Sequence, residues 1–415
     1  MPQPKLPLGY QTSGTTCGIK ASQTLDLALF ISDTNASAAG VFTSNKVCGA
    51  PVQLSRRRVP AANVRAVIIN SGNANACTGE QGMTDAESMT AKVARHLDCE
   101  PSGVLVCSTG VIGHFMPMNK IEASIPNGID ALGPAESDFE LAARAIMTTD
   151  TVQKLSVREA SINGKPVRVS GVAKGAAMIA PNMGTMLAVV MTDAELTPEQ
   201  TDAMLRHAVD LSFNCISVEG HTSTSDTVIL LANGASGCGP IPDFAANENH
   251  NPKRERRPAP DSDYATNQTM ISEVCLDLAQ AIIRDAEGAD HFVQVTVRGA
   301  ATDTDAKVIA KTIADDALVK TAITGNDPNW GRIVSACGRT GIQLTEHDIT
   351  LDLNQVRIFE CGTPVAYDET ALSNSMQDAN QVTIEIELPF GDGDANYWTS
   401  DLTQEYVRLN SEYTT

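Results

Sequence analysis

With 415 residues, 42% of them hydrophobic and 4% aromatic, the chain is long enough for one large or two medium α/β domains with a substantial core. Its formal charge of -20 argues against nucleic acid and anionic membrane as partners, because both require a basic face, and points to an enzyme working on small molecules. No apolar run reaches the roughly 18 residues a membrane span needs. Met1-Pro2-Gln3-Pro4-Lys5 lacks a signal-peptide core and an Arg/Ser-rich amphipathic segment, so the expected location is the cytoplasm.

From the N-terminus, 25–31 and 38–43 read as two strands joined through a turn rich in Ser, Asp and Asn. The strand 66–70 runs into Ser71-Gly72-Asn73-Ala74-Asn75-Ala76-Cys77-Thr78-Gly79, a loop of small amides whose backbone N–H groups either face a ligand or close a turn. An amphipathic helix is expected over 84–98. Val104-Leu105-Val106-Cys107-Ser108 is a short strand ending in Thr109-Gly110, where a hydroxyl and a glycine N–H can together stabilise a developing negative oxygen. Helical spacing over 137–147 stops at Thr148-Thr149-Asp150-Thr151, hydroxyls able to bond the last helix carbonyls. Residues 157–174 alternate around Asn163-Gly164, a hairpin turn that delivers Lys174 to a stretch otherwise free of charge.

That stretch ends at Gly184-Thr185, after which the apolar run 186–191 has the length and β-branched content of a buried strand. A hydroxyl at such a junction is held by a rigid element yet faces a loop, and the residue before it has no Cβ to resist an unusual backbone geometry. Attack of the Thr185 oxygen on the Gly184 carbonyl would turn the amide into an ester, and water would then cut the chain. The freed α-amine of Thr185, with an intrinsic pKa of about 7.7 to 8.0, could accept the proton of its own hydroxyl.

Further on, Thr197-Pro198-Glu199-Gln200 starts a helix that runs to about 209. Composition over 237–266 shifts to Pro, Asn, Gly and charge, as in a mobile surface insertion, with Lys253-Arg254-Glu255-Arg256-Arg257 as a solvated run. A helix over 270–285, a strand over 293–297 and a helix over 303–318 precede the tight polar turn Gly325-Asn326-Asp327-Pro328-Asn329-Trp330-Gly331-Arg332, in which Trp330 can pack and Arg332 is available to a carboxylate. The chain ends in Glu405 to Thr415, a segment that would ordinarily fray. Ten cysteines carry no C-x-x-C pair, which favours small buried thiols over disulfides or a zinc site.

Lys174, Gly175, Met178, Ile179, Pro181, Asn182, Met183, Thr185, Met186 and Leu187 resemble the cleavage site of the ornithine acetyltransferase family, the glutamate N-acetyltransferases of arginine biosynthesis. Residues 325–332 match a second family signature, and similarity extends from Gly40-Val41-Phe42-Thr43 to the C-terminus. The chain departs from the family pattern at Gly184, usually alanine, at Glu219 and His221, both usually aspartate, and at Ser225, Ala286, Asp290 and His291. Because the family's chemistry proceeds with aspartate at 221, His221 reads as a local variation that shifts pH dependence.

The resemblance implies an α/β fold of two sheets packed between helices. It also implies an α chain 1–184, a β chain 185–415 and a heterotetramer of two copies of each. It makes Thr185 the nucleophile, Thr109 and Gly110 the oxyanion hole, and Thr148 or Thr149, Lys174, Thr185, Glu287, Asn410 and Thr415 the contacts to substrate. The implied reaction moves acetyl from N-acetyl-L-ornithine to L-glutamate through Thr185, with no metal or organic cofactor. Some members also take acetyl from acetyl-CoA, and no Gly-rich phosphate loop here favours that use. The competing reading is a related self-processing N-terminal-nucleophile aminopeptidase or amidohydrolase, whose nucleophile is serine and which lacks the 325–332 signature.

Overall fold

A computed structural model of the chain describes residues 5–179, 186–242 and 262–412. The first half runs β1 (Tyr10–Thr15), β2 (Leu27–Phe42), α1 (Ala50–Arg58), β3 (Ala61–Asn73), α2 (Gly79–His96), β4 (Val104–Val111), α3 (Met118–Asp130), α4 (Glu136–Ile146), β5 (Lys154–Ile162) and β6 (Lys165–Lys174). After the undescribed residues come β7 (Leu187–Thr192), α5 (Pro198–Asp210), β8 (Ile216–Ser217), β9 (Thr227–Ala232), α6 (Asp263–Arg284) and β10 (Phe292–Ala300). The chain closes with α7 (Asp303–Ala314), α8 (Ala317–Thr324), α9 (Trp330–Cys337), β11 (Thr350–Leu353), β12 (Val356–Glu360), β13 (Thr363–Pro364), α10 (Glu369–Ala379), β14 (Gln381–Glu387), β15 (Gly393–Ser400) and α11 (Gln404–Glu412).

The described strands form two mixed sheets flanked by helices. The first has the order β4-β3-β2-β9-β7-β6-β5, with β1 paired to β2, and the second β13-β12-β11-β14-β10-β15-β8. In the first sheet β7 and β9, which follow residue 184, lie between strands that precede it: β9 is antiparallel to β2 and β7 is antiparallel to β6. Residues on either side of the expected cut are therefore woven into one hydrogen-bonded surface.

Helix α6 touches β5, β6 and β15, and one continuous core joins its apolar side chains Ile271, Val274, Leu278 and Ile282 to Val293, Val295 and Val297 of the second sheet. A second core packs Phe139, Ala142 and Ile146 of α4 on Phe30, Val67 and Leu105. No helix among the described residues is long and apolar enough to cross a membrane.

Local rules explain many element ends. Thr197 caps α5: its hydroxyl accepts the Gln200 N–H at 3.2 Å and the Gln200 side chain accepts the Thr197 N–H at 3.0 Å. Asn163, at φ 49°, and Gly164 make the tight turn between β5 and β6. The expected pair of strands at 25–31 and 38–43 is instead one strand, β2. Its register against β3 shifts between Ile31 and Ala36, which lets the exposed Asp33, Thr34 and Asn35 sit on a strand that continues. The helix expected over 303–318 breaks at Asp315-Asp316, where the Asp316 carboxylate accepts the N–H groups of Leu318 and Val319 and starts α8. Of the insertion expected at 237–266, residues 243–261 lie outside the described residues and 263–266 already belong to α6. All ten cysteines are free. Cys107, Cys215, Cys238, Cys275 and Cys337 are buried as expected, but Cys77 and Cys361 are exposed.

Candidate functional site

A cleft of about 1100 Å³ collects side chains from distant parts of the sequence, among them Thr109, Gly110, Thr148, Thr149, Lys174, Glu219, His221, Glu287 and Asn410. Each arrives for a local reason. Thr109 and Gly110 lie near the end of β4, just before Val111, where it runs parallel to β3, with Gly72 opposite Gly110. Gly110 has φ +130°, and a Cβ there would lie 2.3 Å from the Gly72 carbonyl carbon, so only glycine allows the two strands to approach this closely. The amides of the 70–75 loop are used within the protein: Asn70 Oδ1 accepts the Ser108 hydroxyl at 2.6 Å, Asn73 Nδ2 donates to the carbonyls of His114 and Phe115, and Asn75 Nδ2 donates to Gly82 O. Gly72 and Ala74 reach the cleft.

Lys174 is the last residue of β6, paired across the ladder with Leu187, two residues beyond Thr185. Its side chain is buried, and Nζ donates to Thr148 Oγ1 at 2.7 Å and to Thr109 Oγ1 at 3.4 Å. Burial lowers its pKa, the Asp150 carboxylate opposes that shift, and Lys154 adds to it. Thr148 therefore does not bond back to its helix. Its hydroxyl accepts from Lys174 while its N–H donates to Asp150 Oδ2 at 3.1 Å.

Asp150 is the hub behind this wall. Its Oδ1 takes the Gly175 N–H and the Lys154 ammonium, each at 2.7 Å, and Lys154 reaches on to Asp285 at 2.6 Å. Burial pushes the Asp150 carboxyl up, but Lys174, Lys154 and the Gly175 N–H outweigh it and hold the group down at about 2. Thr151 extends the network, its hydroxyl and N–H both donating to the Asp285 carboxylate.

A second wall of the cleft comes from the later part of the chain. Glu287 follows the end of α6, its N–H donating to Ala176 O at 2.9 Å, and its Oε2 accepts from Asn410 Nδ2 at 3.1 Å. Asn410 lies on α11, whose Tyr406 packs against the backbone of Gly288. A Cβ on Gly288, at φ +64°, would come within 2.5 Å of Tyr406 N. Glu219 also lines this wall, with Oε1 accepting the Ile179 N–H at 2.6 Å. Burial raises its pKa to about 7, opposed by backbone N–H groups and Lys320 and reinforced by Glu287. His221 is exposed at the rim.

Of the residues expected at the site, Thr109, Gly110, Thr148, Thr149, Lys174, Glu287 and Asn410 share this one cleft. Gly184, Thr185 and Thr415 lie outside the described residues. Arg332 serves the scaffold instead, since its guanidinium donates to Leu318 O and Thr321 Oγ1, while Trp330 stacks on Phe359 at 5.2 Å between ring centroids. The 325–332 turn thus supports the second sheet, and Asn326 Oδ1 meets His291 Nε2 at 3.1 Å. Sequence reading missed Lys20, Arg144 and Tyr406, which also line the cleft. Lys20 donates to Leu25 O and Met147 O, and the second of these contacts spans more than a hundred residues, a distance no local pattern announces. Asp150 was open to notice as the carboxylate within a run of hydroxyls.

A sequence model described as the ArgJ family matches residues 11–415. An "Arginine biosynthesis bifunctional protein ArgJ" of Rhodopirellula baltica is 45% identical over 99% of this chain and 96% of its own length, and the protein of the same name from Geobacter sulfurreducens is 43% identical over 98% and 99%. Among solved structures, an ArgJ protein of Bacillus halodurans is 33% identical over 54% of this chain and 98% of its own, with a TM-score of 0.48. An ornithine acetyltransferase from Mycobacterium tuberculosis, crystallised with ornithine, is 36% identical over 44% and 96%, with a TM-score of 0.39. With a family model covering nearly the whole sequence and relatives above 40% identity across nearly their full length, the chain belongs to the ArgJ family.

Proposed function

We propose that this chain is an acetyltransferase of arginine biosynthesis that cuts itself between Gly184 and Thr185 and then carries acetyl from N-acetyl-L-ornithine to L-glutamate on the Thr185 hydroxyl. The observation that carries the reading is the convergence of Thr109, Gly110, Thr148, Lys174, Glu287 and Asn410 on one cleft, from both sides of the scissile bond, in a member of this family.

In the first half-reaction the Thr185 oxygen attacks the acetyl carbonyl of acetylornithine, and the α-amine of Thr185 takes the hydroxyl proton. Negative charge develops on the carbonyl oxygen at Thr109 and Gly110. Collapse of the tetrahedral intermediate breaks the amide bond, the departing nitrogen gains the proton, and ornithine leaves an acetyl ester on Thr185. Glutamate then attacks that ester with its amine, and acetylglutamate is released with the hydroxyl restored.

Lys174, buried and fixed by Thr148, supplies positive charge for a substrate carboxylate, and Glu287 with Asn410 meets the substrate ammonium. The reaction needs no metal or organic cofactor. We infer an assembly of two α and two β chains working in the cytoplasm, and a second activity, acetylation of glutamate from acetyl-CoA, which an assay with glutamate and acetyl-CoA alone tests.

The deciding experiment compares wild type with Thr185→Ala by intact mass and by acetylornithine–glutamate exchange. The expected result is two pieces and exchange for wild type, and one uncut polypeptide without exchange for the variant. A wild-type protein that stays full length while still exchanging acetyl would overturn the reading.

A further inference from the structure

The two residues that flank the undescribed segment 180–185 are held in the same way by one stretch of chain. At Ile179 the backbone N–H donates to Glu219 Oε1 at 2.6 Å, and the carbonyl accepts the Val218 N–H at 2.8 Å. At Met186 the N–H donates to Asp226 Oδ1 at 3.2 Å, and the carbonyl accepts the Thr227 N–H at 3.1 Å. In each case a carboxyl takes the N–H and a neighbouring amide of the same loop feeds the C=O. Ser217 Oγ adds a further bond to Ile179 O at 3.3 Å.

Neither carboxyl is fully used. Glu219 Oε2 and Asp226 Oδ2 are buried without a hydrogen-bond partner among the described residues. Leaving a buried acceptor unpaired costs about 1–3 kcal/mol, so an acid is an expensive way to close a loop that an amide or a backbone contact could close. Burial raises the pKa of both groups, Asp226 well above the usual carboxylate range, against the Ile179 and Met178 N–H groups at Glu219 and the Met186 N–H, Ser223 and Thr43 at Asp226. Asp226 lies outside the cleft lining, although its charge acts on Lys174.

We propose that Glu219 and Asp226 are positioning residues for self-cleavage: the stretch 217–227 holds Ile179 and Met186, the described residues on either side of Gly184-Thr185, and so fixes the distance between these two anchors. The inference rests on the processing reading given above. Its physical basis is that intramolecular attack depends steeply on the separation of the reacting atoms, which two anchored ends set and one free end does not.

The test follows conversion of freshly translated full-length chain into two pieces by intact mass, for wild type, Glu219→Ala, Asp226→Ala, Glu219→Gln, Asp226→Asn and Thr302→Ala. Thr302 caps α7, outside the cleft, and its loss lowers stability without touching the grip. Expected are cleavage half-times lengthened about tenfold to a hundredfold in Glu219→Ala and Asp226→Ala. The amide variants, which keep an oxygen acceptor, should recover much of that rate, and Thr302→Ala should cut at the wild-type rate despite its lower Tm. Wild-type cleavage rates in both alanine variants would overturn the proposal, as would slowing in Thr302→Ala that matched theirs for the same loss of Tm. A wild-type chain that never cuts would instead refute the processing reading itself.

Discussion

The two walls of the cleft differ in kind. The wall from the first part of the chain is buried and cross-linked: Lys174 is tied to Thr148 and Thr109, and Asp150 holds Gly175 and Lys154 behind it. The wall from the later part is softer and acidic, with Glu287 half-buried, Asn410 exposed on a terminal helix and a single 3.1 Å bond between them. Groups that must meet developing charge need a preorganised setting, whereas groups that recognise two different amino acids in turn can sit on elements that adjust. Under the proposed function the first wall carries the oxyanion donors Thr109 and Gly110 with the fixed carboxylate contact Lys174, and the second carries the ammonium contacts Glu287 and Asn410.

Substitutions can break that assignment. Thr109→Val, which removes one donor from the rigid wall, should lower kcat about 10²–10³-fold with little change in KM, measured on fully processed protein. An effect on KM alone would move Thr109 to the recognition side. Glu287→Gln should instead raise the KM for glutamate about tenfold while kcat falls less, since it removes a charge-assisted contact formed before the chemical step. Asn410→Ala, which loses one neutral bond to Glu287, should raise KM by a smaller factor, about fivefold, corresponding to roughly 1 kcal/mol.

The smallest expected effect concerns pH. The folded chain keeps the Glu219 proton up to about 7, whereas the unfolded chain releases it near about 4.3. In that window the native state binds more protons, so this group's contribution to stability falls as pH rises from about 4.3 to 7 and is then constant. Lys320 draws the pKa down and Glu287 draws it up, and both remain in Glu219→Gln. The Tm of that variant relative to wild type should therefore improve between about pH 5 and about pH 8, and a pH-independent difference would count against a raised Glu219.

Much of the first sheet was legible because its signals are local. Asn163-Gly164 fixes a hairpin, Thr197 to Gln200 fixes a helix start, and β7 is a continuous apolar run. Of the second sheet only β10 was read: β11 and β14 are short, half-polar strands, β12 and β13 belong to brief hairpins without a strong apolar run, and β14 pairs in parallel with β10, far off in sequence. Helix α3 was missed because Pro126 lies inside it. At the site, residue types could be guessed from their motifs, but the Asp150–Lys154–Asp285 chain could not, because it exists only once β5 lies beside the end of α6. Arg332 shows the converse, a signature residue whose partners prove to be a carbonyl and a hydroxyl of its own neighbourhood.

Gly288 touches no part of the proposed chemistry, yet it sets how closely α11 can dock beside Glu287. A mutational survey that scored residues by proximity to bound amino acid would pass over it. A methyl group there would push Tyr406 outward and carry Asn410 with it, so a backbone lesion would masquerade as a defect in ligand affinity.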